Sequence, residues 1–171
     1  MGLYPQTIGM AMPHGCAGSY ARQPDSIVHT RPAGGNAQIL FGTPLQYDGA
    51  GAVVPMGAGS TAAKFVGVAA QEVKSALHYL DQGTGAYAPG EAVSVFMRGT
   101  INVKCSAGTP KLAGPVYLRT TANASIPTGV VGGFEAAADG NNTVQLSNCQ
   151  WDGPADANGI AGLRILTLNN A

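Results

Sequence analysis

The sequence predicts an all-β fold: a small β-barrel or sandwich of short antiparallel strands with an extended N-terminal arm and at most one short helix. Three observations carry that prediction. The 171 residues include 25 glycines and 11 prolines, a density of turn residues that suits many short strands better than helices. Hydrophobic residues make up 45% of the chain, too many for a disordered polymer. Residues 90–105, GEAVSVFMRGTINVKC, alternate apolar and polar side chains, which signals a half-buried strand.

In that stretch Val93, Val95 and Met97 fall on one face, with Ser94 and Arg98 opposite. Ile101, Val103 and Cys105 continue the apolar face, and Asn102 and Lys104 the solvent face. Odd positions stay apolar on both sides of Gly99, so both halves are expected to face one core. A two-residue hairpin loop at Arg98 and Gly99 would pair Val95 with Asn102, a core residue against a solvent residue. A three-residue loop pairs Met97 with Ile101 and satisfies the parity. One long strand bent at Gly99 satisfies it too, because a missing Cβ permits a corner or bulge, and is slightly preferred.

The remaining elements follow in order. Residues 1–36 hold Pro5, Pro13, Pro24 and Pro32 and show no sustained periodicity. Four prolines remove four N–H donors and favour extended backbone. Leu3, Tyr4, Ile8, Met10, Met12 and Tyr20 are spread along the segment, too dispersed for a core of its own. The reading is an arm laid on another surface, either its own barrel or a neighbouring subunit, and ordered better in an assembly. Residues 37–171 form one domain. Residues 38–47 begin a meander, residues 48–51 (DGAG) turn, and residues 52–54 return. Residues 57–63 are a small-residue loop, and residues 64–70 a buried strand bent at Gly67. Residues 71–80 are the one helix candidate, with a strand as the alternative. A Gly/Tyr loop at residues 82–89 leads into the central stretch. Beyond it come strands at residues 115–120, 128–134 and 143–146, a turn at residues 139–142, and a loop at residues 151–159. Residues 160–168 close the chain with apolar side chains on both faces, which suggests a strand covered on both sides.

Composition narrows the function. Formal net charge is zero and 11% of residues are charged, against about 25% in an average globular chain. Nine scattered basic residues make no nucleic-acid footprint. A neutral, charge-poor chain is prone to association, which hints at life in an assembly. Cys16, Cys105 and Cys149 are odd in number and lack metal-binding spacing, which fits a reduced cytosolic origin. No leader, lipidation motif or membrane-spanning run is expected.

Motifs for catalysis are missing. The sequence contains no GxxxxGK[ST], GxSxG or HExxH pattern and no GxGxxG following a strand. His14, His29 and His78 have no carboxylate at useful spacing and read as surface or interface residues. Asp156, Asn158 and Gly159 imitate part of a calcium loop. Alignment on Gly159 places Pro154 at the first ligand and Ile165 where a bidentate Glu belongs, so an EF-hand is excluded. Trp151 reads as core rather than as a sugar platform. No catalytic residue, cofactor or metal is expected.

The arm MGLYPQTIGMAMPHGCAGSYARQPDSIVHTRPA is followed by FVGVAAQEVK, YAPGEAVSVFMRGTINVKC, AGPVYLRTT and DANGIAGLRIL. In pattern and order, over most of its length, the chain resembles the small cement or decoration proteins of tailed-bacteriophage heads. That resemblance implies a β-rich, non-enzymatic protein made in the bacterial host cytoplasm. It would bind the capsid exterior and clamp major capsid protein subunits, commonly as a homotrimer, with a dimer as the alternative. No nucleic acid or membrane partner is implied. Interface contacts are expected at Leu3, Tyr4, Ile8, Met10, Met12, Tyr20, Leu166 and Leu168. The competing reading is a phage tail or surface carbohydrate-binding module.

Overall fold

Residues 92–107 form one strand sixteen residues long, and the rest of the chain is built along it. The computed structural model describes residues 13–72 and 85–168. Within them the strands are β1 (Tyr20–Pro32), β2 (Ile39–Leu40), β3 (Pro44–Tyr47), β4 (Val53–Pro55), β5 (Gly67–Ala69), β6 (Ala86–Tyr87), β7 (Ala92–Ala107), β8 (Pro115–Arg119), β9 (Phe134–Glu135), β10 (Thr143–Trp151) and β11 (Ile160–Ile165). Single 3-10 turns occupy Ala62–Lys64 and Gly140–Asn142. The described residues contain no α-helix, as the all-β reading expects.

Of the two readings of residues 90–105, the bent strand is the one observed. The expectation that both of its halves face one core is overturned. Val93, Val95 and half-buried Met97 pack with Ala33, Leu45, Val53, Val66 and Tyr87. Phe96, Ile101 and Val103 pack in a second cluster with Val116, Leu118, Leu146, Trp151 and Leu163. In a regular strand positions 96 and 101 would point to opposite faces. Here they share one cluster, so one extra residue of backbone lies between them. Gly99 supplies it. Its φ is +107°, a left-handed value that glycine adopts without cost, and a Cβ there would collide with the Asp25 carbonyl oxygen. The register between β1 and β7 shifts across the same residue, between Arg22 opposite Thr100 and Ile27 opposite Arg98, and again at Met97, between Ile27 opposite Arg98 and Val28 opposite Phe96.

Each half of β7 belongs to its own ring of strands. The C-terminal half closes a five-stranded barrel in the order β7, β11, β10, β8, β9 and back to β7. Closure uses a parallel contact, Cys105 opposite Phe134. The N-terminal half carries β5, β3 and β4 in succession. On its other edge runs β1, whose end meets β4 through the Ala33–Val53 bridge. Phe96 shows the arrangement directly, pairing with Val28 of β1 on one edge and Val68 of β5 on the other. The pair β2–β6 covers this second lobe and buries Ile39 and Tyr87. The Tyr87 hydroxyl donates to the Ala70 carbonyl at 2.6 Å, and Phe41 meets its ring edge-on at 5.2 Å.

The described part of the N-terminal segment lies on the chain's own sheet, with β1 antiparallel to β7. Several other boundaries differ from the sequence reading. Residues 128–134 yield only the first residue of β9, Phe134, because Gly132 turns at φ +81° and its N–H bonds the Arg119 carbonyl. Conversely, β10 runs on to Trp151, since Cys149, Gln150 and Trp151 find partners in Ile165, Arg164 and Leu163. The strand expected at residues 160–168 ends at Ile165. Most of the helix candidate, residues 73–80, lies outside the described residues.

Gly99→Val adds a left-handed strain and a backbone collision together. Urea unfolding is expected to show a loss of roughly 2–4 kcal/mol. A loss within about 0.5 kcal/mol, the range of an ordinary surface substitution, would mean the bend does not require glycine.

Candidate functional site

Two features outside the apolar clusters hold the molecule's polar chemistry. The first is a buried ion network at the end of β8. Arg119 and Glu135 are both buried, and the guanidinium grips the carboxylate with two N–H groups, from Nε and Nη2, at 2.5 and 2.9 Å. The Arg119 Nη1 donates to Asp139 Oδ2 at 2.8 Å and to the Thr121 carbonyl at 3.1 Å. Asn123 and Asn142 donate their side-chain amides to the same Asp139 carboxylate. Gly129 is required beside it, because a Cβ there would strike the Arg119 guanidinium. Asn123 first, then Arg119, hold the Asp139 carboxyl below the usual carboxylate range. The network ties β8, β9 and the loops of residues 120–142 into one rigid piece. Both carboxylates are thus engaged by the Arg119 guanidinium.

The second feature fixes the segment before β1. Asn102, expected on the solvent face, is buried. It is covered by residues 14–19. Its Nδ2 donates to the His14 carbonyl at 2.7 Å and to Ser19 Oγ at 3.0 Å. His14 also donates its backbone N–H to Asp156 Oδ2 at 3.0 Å, and its Nε2 lies 3.2 Å from the Pro154 carbonyl. Asp156 Oδ1 accepts from the N–H groups of Asn158 and Ile160. Those backbone donors, Ile160 foremost, lower the Asp156 carboxyl below its ordinary value. The Asp156 turn is therefore a self-capped loop. Its one carboxylate serves as the anchor for the preceding chain.

The residues expected at an interface divide. Leu3, Tyr4, Ile8, Met10 and Met12 lie outside the described residues. Tyr20 is 39% exposed and packs edge-on against Phe96 at 5.5 Å; burial, aided by Glu72, raises its hydroxyl pKa. Leu166 and Leu168, just past β11, are 39% and 46% exposed. Tyr20 and Leu163 pair with Ile101 from opposite edges of β7, so β7 stands between β1 and the strand leading to Leu166. Sequence reasoning missed Leu40, Leu112, Val130 and Val131, all exposed. Their signal was a large apolar residue set in or beside a glycine-rich turn, as in PKLAGP and TGVVGG. Trp151 is fully buried in the barrel, as the core reading holds. The three cysteines are free, and burial raises the pKa of Cys105 and Cys149. Among the described residues no group of His, Cys, Asp and Glu could hold a metal ion, and no helix is long and apolar enough to cross a membrane.

A family model described as XM1 gp53 minor capsid protein matches residues 5–165. A chain from the capsid of the Myoviridae phage XM1 has the same fold, with a TM-score of 0.69 and 17% identity over 96% of this chain and 98% of that one. No curated protein matches this chain in sequence.

The ion network makes two predictions. Arg119→Met strands the buried Glu135 carboxylate and should cost about 3–5 kcal/mol, read by denaturant unfolding. The Asp139 carboxyl is depressed in the folded chain. Its contribution is therefore full above the unfolded carboxylate pKa of about 3.9 and disappears as pH falls through the folded value. The melting temperature should drop below about pH 4, and less steeply in Asp139→Asn. Equal slopes in the two proteins would show that Asp139 is not a source of the acid sensitivity.

Proposed function

The chain belongs to the XM1 gp53 minor capsid protein family, a family of phage capsid-associated structural proteins, and we propose that it binds the outer surface of the capsid and clamps major capsid protein subunits. The observation that carries the reading is the family match over residues 5–165, which takes in the N-terminal segment as well as both lobes. In this reading the protein is a non-enzymatic component of the virion, made in the host cytoplasm and added to the head.

The physical support comes from the surface. Leu40, Leu112 and Val130 are each at least 60% exposed, on a chain with few charges. Burying a large aliphatic side chain is worth roughly 1.5–3 kcal/mol. Association costs about 4–15 kcal/mol in lost freedom, so a few scattered contacts give weak attachment by one copy. A homotrimer overcomes this through effective concentration, since the second and third contacts become intramolecular. We therefore assign a homotrimer that takes the local symmetry of its lattice site, with a dimer as the alternative. The residues preceding Pro13 serve as the arm that reaches a capsid subunit or a neighbouring copy. The carbohydrate-binding alternative gains little: Tyr20 is the one aromatic among the exposed large apolar residues described.

Mass spectrometry of purified particles should detect the chain in mature virions, and absence there would sink the reading. Deleting residues 1–12 should leave the melting temperature within a few degrees and reduce co-sedimentation with capsids. Deleting residues 1–32 removes β1 as well, uncovers one edge of β7, and should prevent stable folding. Light scattering should give a trimer; a stable monomer both in solution and on the capsid would reject the oligomer assignment.

A further inference from the structure

Asn102 interrupts an otherwise apolar run, Ile101-Asn102-Val103, at a buried position of the central strand. Every donor it has goes to a single short segment of chain. Its backbone N–H donates to the Ser19 carbonyl at 2.8 Å. Its side-chain amide donates to the His14 carbonyl and to Ser19 Oγ. Its carbonyl accepts from the Gly18 N–H at 2.7 Å. Its Oδ1, by contrast, is buried and accepts no hydrogen bond among the described residues. An apolar side chain would avoid that unsatisfied acceptor. The position thus keeps a half-satisfied amide whose whole output is the capture of residues 14–19.

The same residues are held from two other directions. Asp156 takes the His14 N–H across 142 positions of sequence. The Gln71 N–H donates to the Gly18 carbonyl at 2.8 Å. Gly18 sits at φ +85°, and a Cβ there would lie 2.9 Å from the Ala69 carbonyl oxygen and from the Gly42 nitrogen. Three separate parts of the fold therefore grip the six residues that precede β1. Such redundancy exceeds what the start of an edge strand requires, since chain ends fray unless tied down.

We propose that residues 14–19 are a clip, with Asn102 as its socket and Asp156 as its second anchor, that couples the chain preceding it to the barrel. The clip is required for capsid attachment without itself touching the capsid. This rests on the reading that the residues before Pro13 reach the capsid. An arm joined to a frayed root would swing freely, and the entropy of ordering it would oppose attachment. An arm leaving a fixed root is directed before it binds.

The test uses the full chain with two substitutions. Asn102→Leu removes the side-chain donors and leaves an apolar strand. Asp156→Ala releases the His14 amide. Hydrogen exchange should show the Gly18 amide opening about tenfold faster in Asn102→Leu, and the His14 amide about tenfold faster in Asp156→Ala, with the amides of β7 other than Asn102 and of β11 beyond Ile160 unchanged. Co-sedimentation of either variant with capsids should fall to the level of the 1–12 deletion. Unchanged exchange in both variants overturns the clip. Faster exchange with capsid binding at the wild-type level overturns the coupling. If the wild-type chain itself fails to bind capsids, the attachment reading and the coupling fall together, while the exchange measurement still decides whether the clip exists.

Discussion

At Gly99 the backbone turns left-handed, with φ at +107°, and β7 presents its odd-numbered side chains to a different cluster on each side of that residue. An extra residue in a strand reverses which face each later side chain meets. A single strand can then serve two cores: Val93 and Val95 in one, Ile101 and Val103 in the other. The closed barrel and the second lobe both take β7 as a wall, so neither can form without it. Asp25 sits where a side chain on residue 99 would be, which makes β1 part of the same constraint.

Rigidity in the loops has a different source. Residues 120–142 contain little regular structure, yet Arg119, Glu135 and Asp139 hold them with a hydrogen-bonded ion network. Buried pairs of this kind add little net stability relative to an apolar core but are costly to break. What the network contributes is position. It fixes the turn from which Val130 and Val131 project. The surface ion pair of Arg98 with Asp25, at 3.3 Å and well exposed on both sides, contributes much less.

For a capsid-associated protein these arrangements have a common sense. In the attachment proposed above, a contact made by few apolar side chains would need each of them held in place beforehand, because ordering them during binding would consume the small gain. The buried network does this for one loop. The contacts of Asn102 and Asp156 do it for the chain entering β1.

Local pattern was enough to determine the fold class, the sheet character of residues 90–105 with a break at Gly99, and the return of β4 after the DGAG turn. Each depends on alternation or turn chemistry within about ten residues, which a sequence displays directly. It could not show that the odd positions of β7 change cores, because parity at a bulge depends on how neighbouring strands pair. Nor could it show that Asn102 is buried: an alternating pattern marks a polar residue as solvent-facing, and only residues 14–19, more than eighty positions away, cover it. The Arg119–Glu135–Asp139 network was hidden for the same reason. Burial and pairing between distant segments are set by the closure of strands in space, and that closure was decided by the tertiary structure alone.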